Sequence, residues 1–217
     1  MLVSTLLDRI NYALRGLDDT APSIGTDEAN FWLSIANAKK DEWATDPKNS
    51  WRSLFEKRTI TPVVAGVNTY DLPDDFIRPS DCLYVGTNYK FEFVEPELRD
   101  SYVYKVFISG QNPKVLDFNG QITATTPYIG ESIILAGYYL PDDMTLATDT
   151  VPVDDPDWLA LAVAAEAAFS DTSYEDKAPD ILGKANALYE GMADANRKLS
   201  TTTPRKAHTQ VTRIRGV

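Results

Sequence analysis

Leu2, Leu6, Ile10, Leu14 and Leu17 recur at intervals of three and four residues, so the chain opens with an amphipathic helix from Leu2 to Leu17. Gly16 and the Asp18-Asp19 pair end it, and its opposite face is polar. After a loop holding Pro22 and Gly25, Thr26 has the position of an N-cap, with Asp27 and Glu28 in the first turn, where carboxylates favour the positive end of the helix dipole. A second helix is predicted from Asp27 to Ala44. Phe31, Ile35 and Ala38 form one stripe on it, widened by Trp32, Ala36 and Trp43. Pro47 stops this helix, and a short turn holding Trp51, Leu54 and Phe55 follows.

From Arg58 the pattern changes to β-branched and aromatic residues punctuated by turn signals. Arg58 to Val64 and Val67 to Leu72 flank Gly66 as one expected hairpin, and Asp81 to Val85 and Tyr89 to Val94 flank Gly86-Thr87-Asn88 as another. Further strands are expected at Tyr102 to Ile108, Val115 to Phe118, Gln121 to Ala124 and Ser132 to Tyr139. Asn119-Gly120 is the strongest turn signal. Helical spacing returns from Trp158 to Ser170, where alanines allow close approach of a neighbour, and again from Pro179 to Leu199. The expected fold is α+β: a helical bundle formed by the N- and C-terminal helix pairs, with an inserted antiparallel β region and an extended C-terminal arm. Its boundaries fall at 1–57, 58–140, 141–199 and 200–217.

Charge sharpens the last boundary. Six of the 21 Lys and Arg residues lie in Arg197 to Val217, which has no acid, whereas all 32 Asp and Glu residues lie before it. An acidic body therefore carries a basic arm, whose apolar content is too small to repay the entropy of ordering it alone. Arg205, Lys206, Val211, Arg213, Ile214 and Arg215 are its candidate partner-binding residues. Arg205-Lys206 and Arg213 with Arg215 could meet phosphates, but they lack interleaved aromatics, and the acidic body repels DNA. An acidic protein groove, or addition of Thr209 to Arg215 as a strand to another sheet, suits the arm at least as well.

The chain holds no apolar run of bilayer length, and Asp8 interrupts any signal-peptide core, so no membrane role is expected. One cysteine, Cys82, excludes an internal disulfide and reads as a small buried residue of a strand. The single histidine, His208, lies in the arm, which speaks against Ser-His-Asp and Cys-His catalysis. Zinc-hydrolase ligand sets and Gly-rich phosphate loops are missing, and no cofactor is expected. Carboxylates are numerous enough to leave an acid/base pair or a magnesium site open on count alone. Asp74-Asp75, Asp142-Asp143 and Asp154-Asp155 each stand beside a proline, however, where turn and capping roles are expected. Trp32, Trp43, Trp51 and Trp158 read as core or subunit contacts.

Trp51-x-x-Leu-Phe55, Thr59-Ile-Thr61 and the run Gly66-x-x-x-Tyr70-Asp-Leu-Pro-Asp-Asp-Phe76-Ile-Arg-Pro79 resemble a segment of the head-to-tail adaptor proteins of tailed bacteriophages. Gly137-Tyr-Tyr-x-Pro141, Leu146, Asp149-Thr150 and the alanine-rich helix after Pro156 continue the likeness over residues 1 to 200. The resemblance implies a non-enzymatic virion protein, made in the host cytoplasm. It would form a ring in the neck, of twelve copies, beneath the portal protein. Its partners would be the portal, neighbouring copies, a downstream neck or tail protein, and double-stranded DNA passing through the channel without sequence-specific binding. A stopper or tail-terminator ring is the alternative within this class. A carboxylate-dependent cell-wall hydrolase is the alternative outside it.

Overall fold

The computed structural model describes residues 1–16, 19–95, 105–110, 114–119, 122 and 126–202. Among these residues, helices α1 (Val3–Arg15) and α2 (Asp27–Thr45) precede seven strands, and α3 (Pro156–Ser170) and α4 (Ala178–Thr202) follow them. The strands are β1 (Phe55–Pro62), β2 (Thr69–Asp71), β3 (Phe76–Val85), β4 (Tyr89–Phe93), β5 (Lys105–Ser109), β6 (Val115–Asp117) and β7 (Ser132–Tyr139).

Local chemistry accounts for the helices. Thr26 caps α2 by accepting from the Ala29 N–H, as its position predicts. Asp155 caps α3 through the N–H groups of Asp157 and Trp158, with Pro156 at the first helical position. The alanines of α3 do what small residues allow: α1, α2 and α4 all pack against it, and Ala160, Ala162, Ala164, Ala165, Ala167 and Ala168 are buried. α4 continues to Thr202, three residues into the span expected to be arm.

The strands correct the expected fold class. They form one seven-stranded mixed sheet in the order β1-β7-β3-β4-β5-β6-β2, curled into a half-barrel, rather than a small antiparallel insert in a helical bundle. The β3–β4 hairpin has the expected partners, but β4 pairs with β5 in parallel. The hairpin expected around Gly66 does not form: β1 pairs with β7, and β2 pairs with β6 at the far edge. Six residues, 63–68, join these two edges. That connection spans at most about 24 Å, whereas seven flat strands would hold their edges about 29 Å apart. Curling resolves the conflict. Alternation tells which face of a strand is apolar but not which strand lies beside it, which is why the pairing escaped the sequence.

Two hydrophobic cores result. One, inside the sheet, contains Leu83, Phe91, Val106, Leu116, Phe118, Ile133, Leu135 and Tyr139, all from strands or their turns. The other unites the four helices with Trp51, Leu54, Met144, Val151 and Val153. Cys82 is buried in β3, and all four tryptophans are buried in the helical core. Asn119 adopts φ 49° with its N–H bonded to Asp117 Oδ1, in keeping with the turn expected there. Gly120 and the strand expected at 121–124, apart from buried Ile122, lie outside the described residues.

Candidate functional site

One carboxylate of each expected pair has a structural partner. Asp75 accepts from Arg58, whose guanidinium lies 3.9 Å from the centroid of the Tyr139 ring. Burial pushes the Tyr139 phenol up to about 12, Arg58 opposing the shift and Asp75 and Glu56 adding to it. Asp143 accepts from Lys40, and Asp155 is the α3 cap. Among the described residues no three His, Cys, Asp or Glu side chains are grouped to hold a metal ion, and no helix is long and apolar enough to cross a membrane.

The junction between the two cores is the most elaborate polar site. Arg78, on β3, donates from Nη1 to the Asp46 carbonyl at 3.3 Å and from Nη2 to the Asn49 carbonyl, just beyond the C-terminus of α2. A cation here meets the negative end of the helix dipole. Its guanidinium also lies 5.1 Å from the Tyr138 ring centroid. The Asp46 carboxylate accepts from Tyr189 Oη on α4, from Asn49 Nδ2 and from the Lys48 N–H. Burial works against ionisation of Asp46, yet these hydrogen bonds outweigh it and hold the carboxyl below its usual range. Around them Trp43 stacks on Trp51 at 5.3 Å, and Trp51 meets Tyr189 edge-on at 5.8 Å. One sheet strand and two helices are thereby held in a fixed relation. Arg78 belongs to the run that carried the resemblance; an arginine inside a β pattern was the signal that could have singled it out.

Among the described residues three surfaces stand out. A groove of about 780 Å³ runs between α1, α3 and α4, floored by Ala13, Ala160, Leu161 and Ile181 and rimmed by exposed Tyr12. Its cations are internally engaged: Arg9 with Asp157, Arg15 with Glu28, Lys177 with the Leu14 carbonyl and Lys184 with Asp180. At the end of the sheet away from the helices, Val64, Val67 and Ile129 are exposed on two loops. Backbone bonds from Val63 to Glu131 at 2.8 Å and from Gly130 to Val63 at 2.9 Å join those loops. The third surface is β1, whose only strand partner among the described residues is β7 and whose residues are exposed or half-buried throughout. Sequence patterning missed all three because each depends on neighbours distant in the chain.

The expected partner-binding residues Arg205, Lys206, Val211, Arg213, Ile214 and Arg215 lie outside the described residues. The motif residues before them have clear duties. Tyr70 Oη accepts from the Val64 N–H and donates to the Val67 carbonyl, closing the loop around Gly66. Asp149 Oδ2 accepts from the N–H groups of Thr145 and Leu146. Its own carbonyl receives Val3 N, and Thr150 bridges Leu2, so this turn fastens the start of α1.

No curated protein matches the chain. The profile of the family described as SU10 adaptor protein matches residues 1–215, almost the whole chain, and the protein belongs to that family of phage structural adaptors.

Proposed function

We infer that the protein forms a ring, of twelve copies, beneath the portal, joining the capsid to the tail and continuing the DNA channel. The family match over residues 1–215 carries this reading. Two physical features support it. The helical core and the half-barrel leave separate surfaces, the α1/α3/α4 groove and the loops bearing Val64 and Ile129, which lets one subunit meet a neighbour and a downstream neck or tail protein at once. The charge division also suits a DNA conduit. An acidic body repels the duplex and lets it pass without sticking, while the basic arm binds protein. In this reading Arg205, Lys206, Val211, Arg213, Ile214 and Arg215 latch the ring to the portal or to the adjacent subunit. The chain acts as a structural component without catalysis and resides in the neck of the virion.

Particle mass tests the proposal. The purified chain is measured alone and after mixing with portal-bearing capsids that lack tails. Stoichiometric uptake into a ring at the portal vertex is expected. A chain that ignores those capsids would overturn the assignment.

A further inference from the structure

β1 is a long open edge. It has eight residues against three in β2, the strand at the other end of the sheet. Apart from the Phe55 N–H, which donates to the Arg52 carbonyl, no backbone hydrogen bond along its outer side reaches it from any other described element. Such an edge presents a row of unpaired N–H and C=O groups that accepts a further strand. Phe55, Glu56, Lys57 and Thr59 are exposed along it, and half-buried Ile60 marks the margin of the sheet core.

The end of α4 lies beside the start of this strand. Asn196 Nδ2 donates to the Ser50 carbonyl at 3.0 Å, and Met192, Ala195 and Asn196 line a cleft with Arg52 and Ser53, directly before Phe55. The helix runs six residues past Asn196, to Thr202. Fifteen residues, 203–217, follow. Extended, they reach about 50 Å, enough to cross to an adjoining copy. Within them Thr209-Gln-Val-Thr-Arg-Ile-Arg215 is rich in β-branched residues, which favour strands.

We propose that residues 209–215 of one copy add as a strand to the open edge of β1 in a neighbouring copy. This rests on the ring reading above and names the acceptor for the distal half of the arm, leaving Arg205 and Lys206 for the portal. A neighbour is the acceptor because the segment has too little apolar surface to repay its own ordering. Docking of subunits supplies that repayment, and a head-to-tail exchange propagates around a ring.

Cross-linking of full-length chains tests it. One chain carries Thr59→Cys, and its partner carries Gln210→Cys, Val211→Cys or Thr212→Cys, three successive positions that span both strand faces. Native Cys82 is buried, and its background is read from the unsubstituted chain. Oxidation of the mixture is expected to give a covalent pair at one of the three positions. Val211→Pro with Ile214→Pro, two positions whose N–H groups point to opposite sides of a strand so that one faces β1 in either register, deletes a ladder donor and no charge and is expected to abolish a pair formed through Gln210→Cys or Thr212→Cys. Arg213→Gln with Arg215→Gln keeps it. In parallel, amide exchange over Phe55–Thr61 is expected to be at least tenfold slower in the assembled full chain than in a chain ending at Thr202. A ring on the portal without cross-link or protection would overturn this inference alone, as would cross-links found only within single chains. Cross-linked copies that ignore the capsids would overturn the ring reading and keep this one. Chains that neither cross-link nor assemble would overturn both.

Discussion

Lys40 Nζ, fully buried on α2, lies 2.7 Å from Asp143 Oδ1 and also donates to the carbonyls of Pro141 and Asp142 at 2.8 and 3.2 Å. One turn earlier, Asn37 Nδ2 donates to the Met144 carbonyl while its Oδ1 accepts from the Met144 N–H. The segment that leaves the sheet is therefore fastened to α2 by two side chains three residues apart.

Lys40→Met should lower stability by about 2 kcal/mol, because two carbonyls lose a charged donor in a buried site. Asp143→Asn should cost under about 1 kcal/mol, its carboxylate being 65% exposed and screened by water. Urea unfolding of both variants checks the ranking. Equal effects would show that the ion pair, rather than the carbonyl contacts, carries the clamp.

Arg78→Lys should lower stability by about 1–2 kcal/mol, since a single ammonium does not span the carbonyls of Asp46 and Asn49 as the guanidinium fork does. Arg78→Met should cost more. Tryptophan fluorescence reports the helical core, which holds all four tryptophans, while circular dichroism reports both halves. The expected result is that the two signals separate in Arg78→Met and coincide in the native chain. Coincident curves in the variant would remove the junction role.

The pH limbs follow from two groups. The carboxyl of Asp46 is held below its ordinary value of 3.8, so its contribution is complete above that pH and is lost as pH falls through the lowered folded value. Asp46→Asn should flatten the melting-temperature profile below pH 4, with Tyr189→Phe intermediate. At the other extreme, the Tyr139 phenol rises from 10.0 to about 12, so its contribution is complete below pH 10 and fades as pH approaches 12. Tyr139→Phe should lose that alkaline limb. Melting profiles unchanged by these substitutions would contradict the assignments.

Gly137→Ala should destabilise by about 1–3 kcal/mol, because the added Cβ would sit 2.7 Å from Phe76 Cε2 and 2.8 Å from the Arg78 carbonyl, with backbone on one side unable to yield. Gly183→Ala, in α4 with nothing within 4 Å, should stabilise by about 0.5–1 kcal/mol. Thermal melts of the pair distinguish close approach in the sheet from ordinary helix propensity. Neutral Gly137→Ala would refute the packing argument.

The helices were legible because their signals are local: the Thr26 cap, the leucine spacing of α1 and the small residues of α3 each act within one segment. β7 was read with its observed bounds for the same reason, as an apolar run between turn signals. The pairing of β1 with β7 was not legible. It depends on Val63 and Glu131, 68 positions apart, meeting through their backbones, and no side-chain pattern records that. The parallel β4–β5 step was hidden likewise, because the sequence marks strands without their direction. Of the candidate site, the sequence offered the arm residues, which lie outside the described residues. The junction was not legible, since Asp46, Arg78 and Tyr189 come from three distant segments and look like ordinary surface residues in each.

The division of the cores along the chain has a consequence during synthesis. Among the described residues, every buried member of the sheet core comes from Val63 to Tyr139, one stretch of the chain, whereas the helical core joins Val3–Leu54 to Met144–Ala193. As the chain leaves the ribosome, the half-barrel has all its parts once residue 139 has emerged. Helices α1 and α2, made first, must wait with their apolar faces uncovered for α3 to arrive. At about 5–20 residues per second, the interval from the end of α2 to the end of α3, 125 positions later, lasts roughly 6 to 25 seconds. The first part translated is thus the last to be enclosed. Shielding by the host's chaperones is most needed at the N-terminal helices, ahead of any encounter with a capsid.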